Sequence, residues 1–225
     1  MSRVEAIVSD FGGVLTTPLI DAFAAFQEAR GIPLEALGAA MARAAERDGG
    51  VQPLFELEKG TITERQFVEK LSAALDEVVG RTIELDGFGE AFFSALHPNE
   101  QLFAFMRTLH GRGYRMAILT NNVREWEPLW RAMLPIDEIF ELVVDSAFVG
   151  LRKPDPAIYE LLLQRLDVPA EATLFLDDLE VNCDAARELG MGAVHFRETA
   201  QAIAEIEARL GGAGNGSRSA SSRSD

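Results

Sequence analysis

Val4-Glu5-Ala6-Ile7-Val8-Ser9-Asp10-Phe11-Gly12-Gly13-Val14-Leu15 is a short, mostly apolar run that stops at a carboxylate and two glycines. Residues 4–9 are too few for a stable helix and suit a strand buried on both faces, as in a parallel sheet. The pattern recurs. Residues 116–119 lead into Thr120-Asn121-Asn122, and residues 142–144 precede the loop carrying Arg152-Lys153-Pro154-Asp155-Pro156. Residues 173–176 lead into Asp177-Asp178, and residues 193–196 form a fifth run.

Helical patterns separate these runs. One opens at Pro98 with Leu102, Phe105, Met106 and Leu109 on one face and stops at Gly111. A second takes Asp155 as N-cap and Pro156 at its first position, then runs through Ile158, Leu161, Leu162 and Leu166. A third covers residues 180–189 and ends at Gly190. Alternating strand and helix predicts an α/β fold: a doubly wound parallel sheet covered by helices on both faces, three layers in all.

Residues 19–96 break the rhythm and read as consecutive helices. Thr63 and Gln66 form a capping box before Phe67, Val68 and Leu71. A helical subdomain over 18–96 inserted into a core of 1–17 and 97–210 accounts for this. Residues 211–225, built of Gly, Ser, Ala, Asn and Arg with little apolar content, read as a disordered tail.

With 48% hydrophobic residues, 225 residues suffice for one substantial core plus a small second one. Lys and Arg number 21 against 36 Asp and Glu, a formal charge of −15, which argues against a nucleic-acid partner. The single cysteine, Cys183, excludes an intrachain disulfide and fits a reducing compartment. The first residues are interrupted too soon to form a signal peptide, and no apolar run is long enough to span a membrane. The expected location is the cytoplasm, with no membrane partner and a monomer or homodimer as the assembly.

In an open parallel sheet the strands' carboxyl ends share one edge, where ligands bind. Asp10, Thr120-Asn121, Lys153 and Asp177-Asp178 should therefore converge. Clustered carboxylates repel one another, and a hard cation such as Mg²⁺ resolves the conflict. A carboxylate is also a competent nucleophile for covalent phosphoryl or acyl transfer. Lys153 and the Thr120 hydroxyl would neutralise and position the transferred group.

The chain resembles the haloacid dehalogenase-like hydrolase superfamily through four pieces in order. They are Asp10-Phe11-Gly12-Gly13-Val14-Leu15, Ile118-Leu119-Thr120-Asn121, Gly150-Leu151-Arg152-Lys153-Pro154-Asp155-Pro156, and Phe175-Leu176-Asp177-Asp178 running on to Asn182 and Leu189-Gly190-Met191. Within the superfamily it is similar to the N-terminal phosphatase domain of soluble epoxide hydrolases. The resemblance implies a Rossmann-like core with a helical cap, acting on a small phosphorylated substrate with Mg²⁺. Asp10 would be the nucleophile. Thr120 and the Asn121 backbone would hold phosphate oxygens, and Lys153 would offset charge. Asp10, the Gly12 carbonyl and Asp178, with Asp177 alongside, would bind the metal.

Gly12 departs from the family. Most of its phosphatases carry a second Asp there, which protonates the leaving group and then activates water. General acid–base help contributes about 10²- to 10⁴-fold in rate. Three readings follow: a substrate with a good leaving group, a proton supplied by another group or by the substrate, or a protein that binds a phosphorylated ligand without turnover. A dehalogenase, which needs no such proton, is a further alternative. Asn182, one helical turn after Asp178, can face the same site. Cys183, Trp126 and Trp130 read as packing residues.

Overall fold

A computed structural model describes residues 3–211. Its sheet has five strands, all parallel: β1 (Ala6–Ser9), β2 (Arg115–Thr120), β3 (Leu142–Asp145), β4 (Thr173–Asp177) and β5 (Gly192–His195). Their order across the sheet is β3-β2-β1-β4-β5. The first strand is central, flanked in register by Arg115–Ile118 on one side and Thr173–Leu176 on the other.

Five helices follow β1: α1 (Leu19–Ala29), α2 (Ala36–Arg47), α3 (Pro53–Glu58), α4 (Glu64–Val79) and α5 (Phe88–Ser94). The remaining helices are α6 (Glu100–Gly111), α7 (Glu127–Arg131), α8 (Ser146–Val149), α9 (Pro156–Leu166), α10 (Glu180–Glu188) and α11 (Thr199–Gly211). None of the described helices is long and apolar enough to cross a membrane.

The period-two alternation of the strands decides the layers. Ile7, Met116, Ile118, Leu174 and Leu176 point to one face and pack with Leu102, Met106 and Leu109 of α6, Trp130 of α7, and Ala202 and Ile206 of α11. Ala6, Val8, Ala117, Leu119 and Phe175 point to the other, against Ile158, Tyr159 and Leu162 of α9 and Cys183 and Ala186 of α10. The three-layer α/β arrangement expected from the sequence is the one found.

Local signals hold with small corrections. Thr63 and Gln66 make the reciprocal capping box of α4, and Asp155 accepts a hydrogen bond from Ala157 N, 3.0 Å, at the start of α9. The helix expected to open at Pro98 begins at Glu100, because the Asn99 carboxamide accepts from Leu102 N at 3.1 Å and acts as cap. On that helix Phe103 rather than Phe105 is fully packed in the core, and on α9 Tyr159 is buried where Leu161 was expected. Helix α11 reaches Gly211, the first residue of the segment read as a tail; residues 212–225 lie outside the described residues.

The helical insert has its own core. Phe26, Leu57, Phe67, Leu71, Leu75, Phe88 and Phe92 meet there, joined by Val123 and Trp126 from the segment after β2. The chain leaves and re-enters the sheet layer through paired segments: Thr17 N donates to His97 O and Asn99 N to Leu15 O, both at 2.8 Å. Phe88 sits at the centre of the insert, with Phe26, Phe67 and Trp126 ring centroids 4.8, 5.8 and 5.8 Å away. Truncating so central a ring leaves a cavity that close-packed neighbours only partly refill. Phe88→Ala is expected to lower unfolding free energy by about 3–5 kcal/mol. Urea denaturation checks this, and a loss below ~1 kcal/mol would mean that the insert collapses freely around the gap.

Candidate active site

Backbone pairing delivers the side chains. Asp10 directly follows β1, its N–H donating to Leu176 O of β4 at 2.8 Å, so the chain stays tied to the sheet as it turns away. Its Oδ1 accepts from Phe11 N at 2.7 Å. Asp177 ends β4, with Asp178 next to it. Lys153, in the loop between α8 and α9, is completely buried. Its Nζ lies 3.0 Å from Asp10 Oδ2 and 2.6 Å from Asp177 Oδ2. Three distant parts of the sequence thus meet at one buried ammonium.

Asp177 has no free oxygen. Besides Lys153 on Oδ2, its Oδ1 accepts from Leu179 N at 2.8 Å and from Asn182 Nδ2 at 2.9 Å. Asn182, expected from its helical spacing to face the site, does so by holding Asp177. Asn121 clamps the lysine loop: its Nδ2 donates to Lys153 O at 3.0 Å and its Oδ1 accepts from Lys153 N at 2.8 Å. Its side chain is thereby committed to the loop. Thr120 ends β2, almost fully buried and in register with Asp145.

Asp10, Asp177 and Asp178 each place a carboxylate oxygen within 4.8 Å of the others. Three acids around one ammonium leave excess negative charge in a desolvated space. Burial, opposed by Lys153 and reinforced by Asp177 and Asp178, pushes the Asp10 carboxyl up to about 8. Burial and then Asp177 push Asp178 up to about 6. The cluster offers the hard oxygen donors and surplus charge that could hold a divalent cation such as Mg²⁺. Gly13 makes the close approach possible. Its φ of 75° is left-handed, and a Cβ there would collide with the Asp178 carboxylate.

The profile of the haloacid dehalogenase-like hydrolases matches residues 4–190, which span every group just described. The chain belongs to that family. It is 30% identical over 221 residues to bifunctional epoxide hydrolase 2 of Mus musculus, covering 91% of this chain and 38% of that protein. It is 29% identical over 123 residues to the sesquiterpene phosphatase astK of Aspergillus oryzae, covering 52% of this chain and 59% of that one. The chain thus spans less than two thirds of either relative. Among solved structures, the haloacid dehalogenase-like enzyme bt-2542 of Bacteroides thetaiotaomicron superposes with a TM-score of 0.70. The two are 20% identical, and the match covers 92% of this chain and 99% of that one. The chain is therefore a member of a hydrolase family with phosphatases among its relatives, and the likeness to epoxide hydrolase read from the motifs holds.

This hydrolase has a cavity of about 110 Å³ between the sheet edge and the insert. Phe11, Gly12 and Asn121 line it from the core side, and Phe23, Leu54, Phe67, Phe88 and Phe92 from the insert. Trp126 lines it too, so it serves the cavity as well as the core. Leu19 packs closely beside Gly12: a Cβ there would stand 3.2 Å from both of its methyls. Sequence reading missed Leu19, the cavity aromatics and the insert's Glu58, whose Oε2 accepts from Arg152 Nε at 2.7 Å. No motif marks them. Only the folding of the insert over the edge selects them.

The raised carboxyl of Asp10 fixes a pH dependence for the metal-free protein. The folded state keeps a proton that the unfolded chain releases near 3.8, so this contribution to stability is complete below that pH and is lost as pH rises to about 8. Urea midpoints in chelator across that range should fall more steeply for the wild type than for Asp10→Asn. Parallel curves would contradict the assignment.

Proposed function

We propose that this hydrolase is a Mg²⁺-dependent phosphomonoesterase that passes the phosphoryl group of a small substrate through Asp10. The observation that carries the reading is the buried Lys153 ammonium, 3.0 Å from Asp10 and surrounded by more carboxylate than it can neutralise. Asp10, the Gly12 carbonyl and Asp178 would hold Mg²⁺. Asp177, with both oxygens engaged, supports the site by fixing Lys153. The bound cation would shield the phosphate's charge from Asp10 and polarise the phosphorus centre.

The chain's own groups account for the rest. An Asp10 oxygen attacks phosphorus, the bond to the ester oxygen breaks, and an aspartyl phosphate forms. Lys153 stabilises charge gathering on the equatorial oxygens. The Thr120 hydroxyl and the Asn121 backbone N–H bind those oxygens, the Asn121 side chain being held by the lysine loop. Water then hydrolyses the acyl phosphate and restores Asp10. The insert acts as a cap that limits access of bulk water.

The cavity lining points to a substrate whose alcohol portion is hydrocarbon or aromatic. Such a surface gains about 25 cal/mol per Å² of apolar area it covers, whereas a polyol would lose hydrogen bonds there. The sesquiterpene phosphatase among the relatives agrees with that character. The buried free thiol of Cys183 agrees with a cytoplasmic setting. A second reading, a binder of phosphorylated ligands without turnover, draws on Gly12 and on Leu19 packed beside it.

Hydrolysis of an aryl phosphate decides between them. Wild-type turnover should require Mg²⁺ and disappear with chelator or in Asp10→Asn. Lys153→Met should lower kcat by about 10²-fold or more. Wild-type protein no faster than Asp10→Asn would sink the phosphatase and leave the binder.

A further inference from the structure

Gly12 leaves the site without a proton donor at that position. Among the described residues that line the cavity, Glu58 is the one with an ionisable side chain. The others are apolar, aromatic, glycine or carboxamide. Glu58 ends α3 in the insert and stands at the point where the insert touches the catalytic edge. Its partner Arg152 immediately precedes Lys153, and the ion pair is largely shielded, with side chains 16% and 20% exposed. Two residues on, Gly60 is pressed so closely against the Ala147 carbonyl that no Cβ would fit. That carbonyl accepts from Arg124 Nη2 at 2.6 Å. The segment carrying Glu58 is therefore anchored on the core.

Building on the phosphatase reading above, we propose that Glu58, delivered by the insert, makes the proton transfers for which Gly12 has no side chain. As Asp10 attacks phosphorus and the ester P–O bond breaks, the Glu58 carboxyl gives its proton to the departing oxygen, releasing the alcohol. Its carboxylate then takes a proton from the water whose oxygen attacks the aspartyl phosphate. The P–O bond to Asp10 breaks, inorganic phosphate leaves, and the Glu58 carboxyl is restored. No other reactant is required. Glu58 is suited to both roles. Burial raises its carboxyl above the ordinary range, while Arg152 at 2.7 Å and the charge of Lys153 favour the anion. Arg152 is the positioning residue: its guanidinium fixes the carboxylate and also lies over the Phe55 ring, 3.9 Å from the centroid. Placing the acid on the insert makes proton transfer depend on an insert seated on the core.

The test compares two esters on the full chain with Mg²⁺: a nitrophenyl phosphate, whose leaving group needs no proton, and an apolar primary alkyl phosphate, whose leaving group does. For Glu58→Gln, kcat/KM on the alkyl ester should fall about 10²- to 10⁴-fold. On the nitrophenyl ester, kcat/KM should fall less than about tenfold. Its kcat should drop further, with a burst of nitrophenolate, because the aspartyl phosphate now awaits an unassisted water. Equal losses of kcat/KM on both esters would mean a packing role, and no loss on either would mean a spectator; each overturns the proposal. If Glu58→Gln does not fold, Glu58→Asp, which withdraws the carboxyl by one methylene, is read by the same ratio. A wild type that hydrolyses neither ester fails the phosphatase reading itself, and the role of Glu58 falls with it.

Discussion

The buried ammonium of Lys153 is the constraint around which the molecule is arranged. A charge removed from water is tolerated only when paired and hydrogen-bonded, and losing one partner of such a pair costs about 3–5 kcal/mol. Lys153 is paired twice, with Asp10 after β1 and Asp177 at the end of β4. Its loop is tied to the end of β2 by Asn121. The ion pairs therefore hold in place the same strand ends that the sheet brings together. Asp10 cannot drift without leaving the buried ammonium short of a partner.

A second consequence is electrostatic. One ammonium does not neutralise three neighbouring carboxylates, and burial, with the neighbouring carboxylates adding to it, raises the proton affinity of Asp10 and Asp178. A divalent cation held there would relieve the repulsion. On a chain of net charge −15, a cation held by this cluster would let it accept the phosphate of the proposed reaction. Local arrangement, not overall charge, sets the sign that a ligand meets.

The insert supplies what the sheet edge lacks. Apart from Asn121 and Asn122, the core contributes little polarity to the cavity, and the insert covers it with aromatic rings. Leu19 packs beside Gly12, so the wall is apolar there. Glu58 brings a carboxyl to the cavity lining, on a segment pinned by Arg152 and by the close contact at Gly60.

Much of this was legible in the linear sequence because it depends on local chemistry. The short apolar runs, the capping box at Thr63, the Asp155-Pro156 start of α9, and the Asp10, Thr120 and Asp177-Asp178 strand ends obey rules of a few residues' span. One inference then places those ends together, since parallel strands share an edge. Phe103 in place of Phe105, and Tyr159 in place of Leu161, were decided by which side of a helix meets the sheet, a choice that apolar periodicity leaves open by one position. The double engagement of Asp177, the clamp from Asn121, Leu19 against Gly12 and the meeting of Glu58 with Arg152 were decided by tertiary structure alone. Glu58 and Arg152 are 94 residues apart. No spacing rule links positions so distant. Their contact exists because burying the insert's aromatic core requires it to sit on the sheet edge in one orientation.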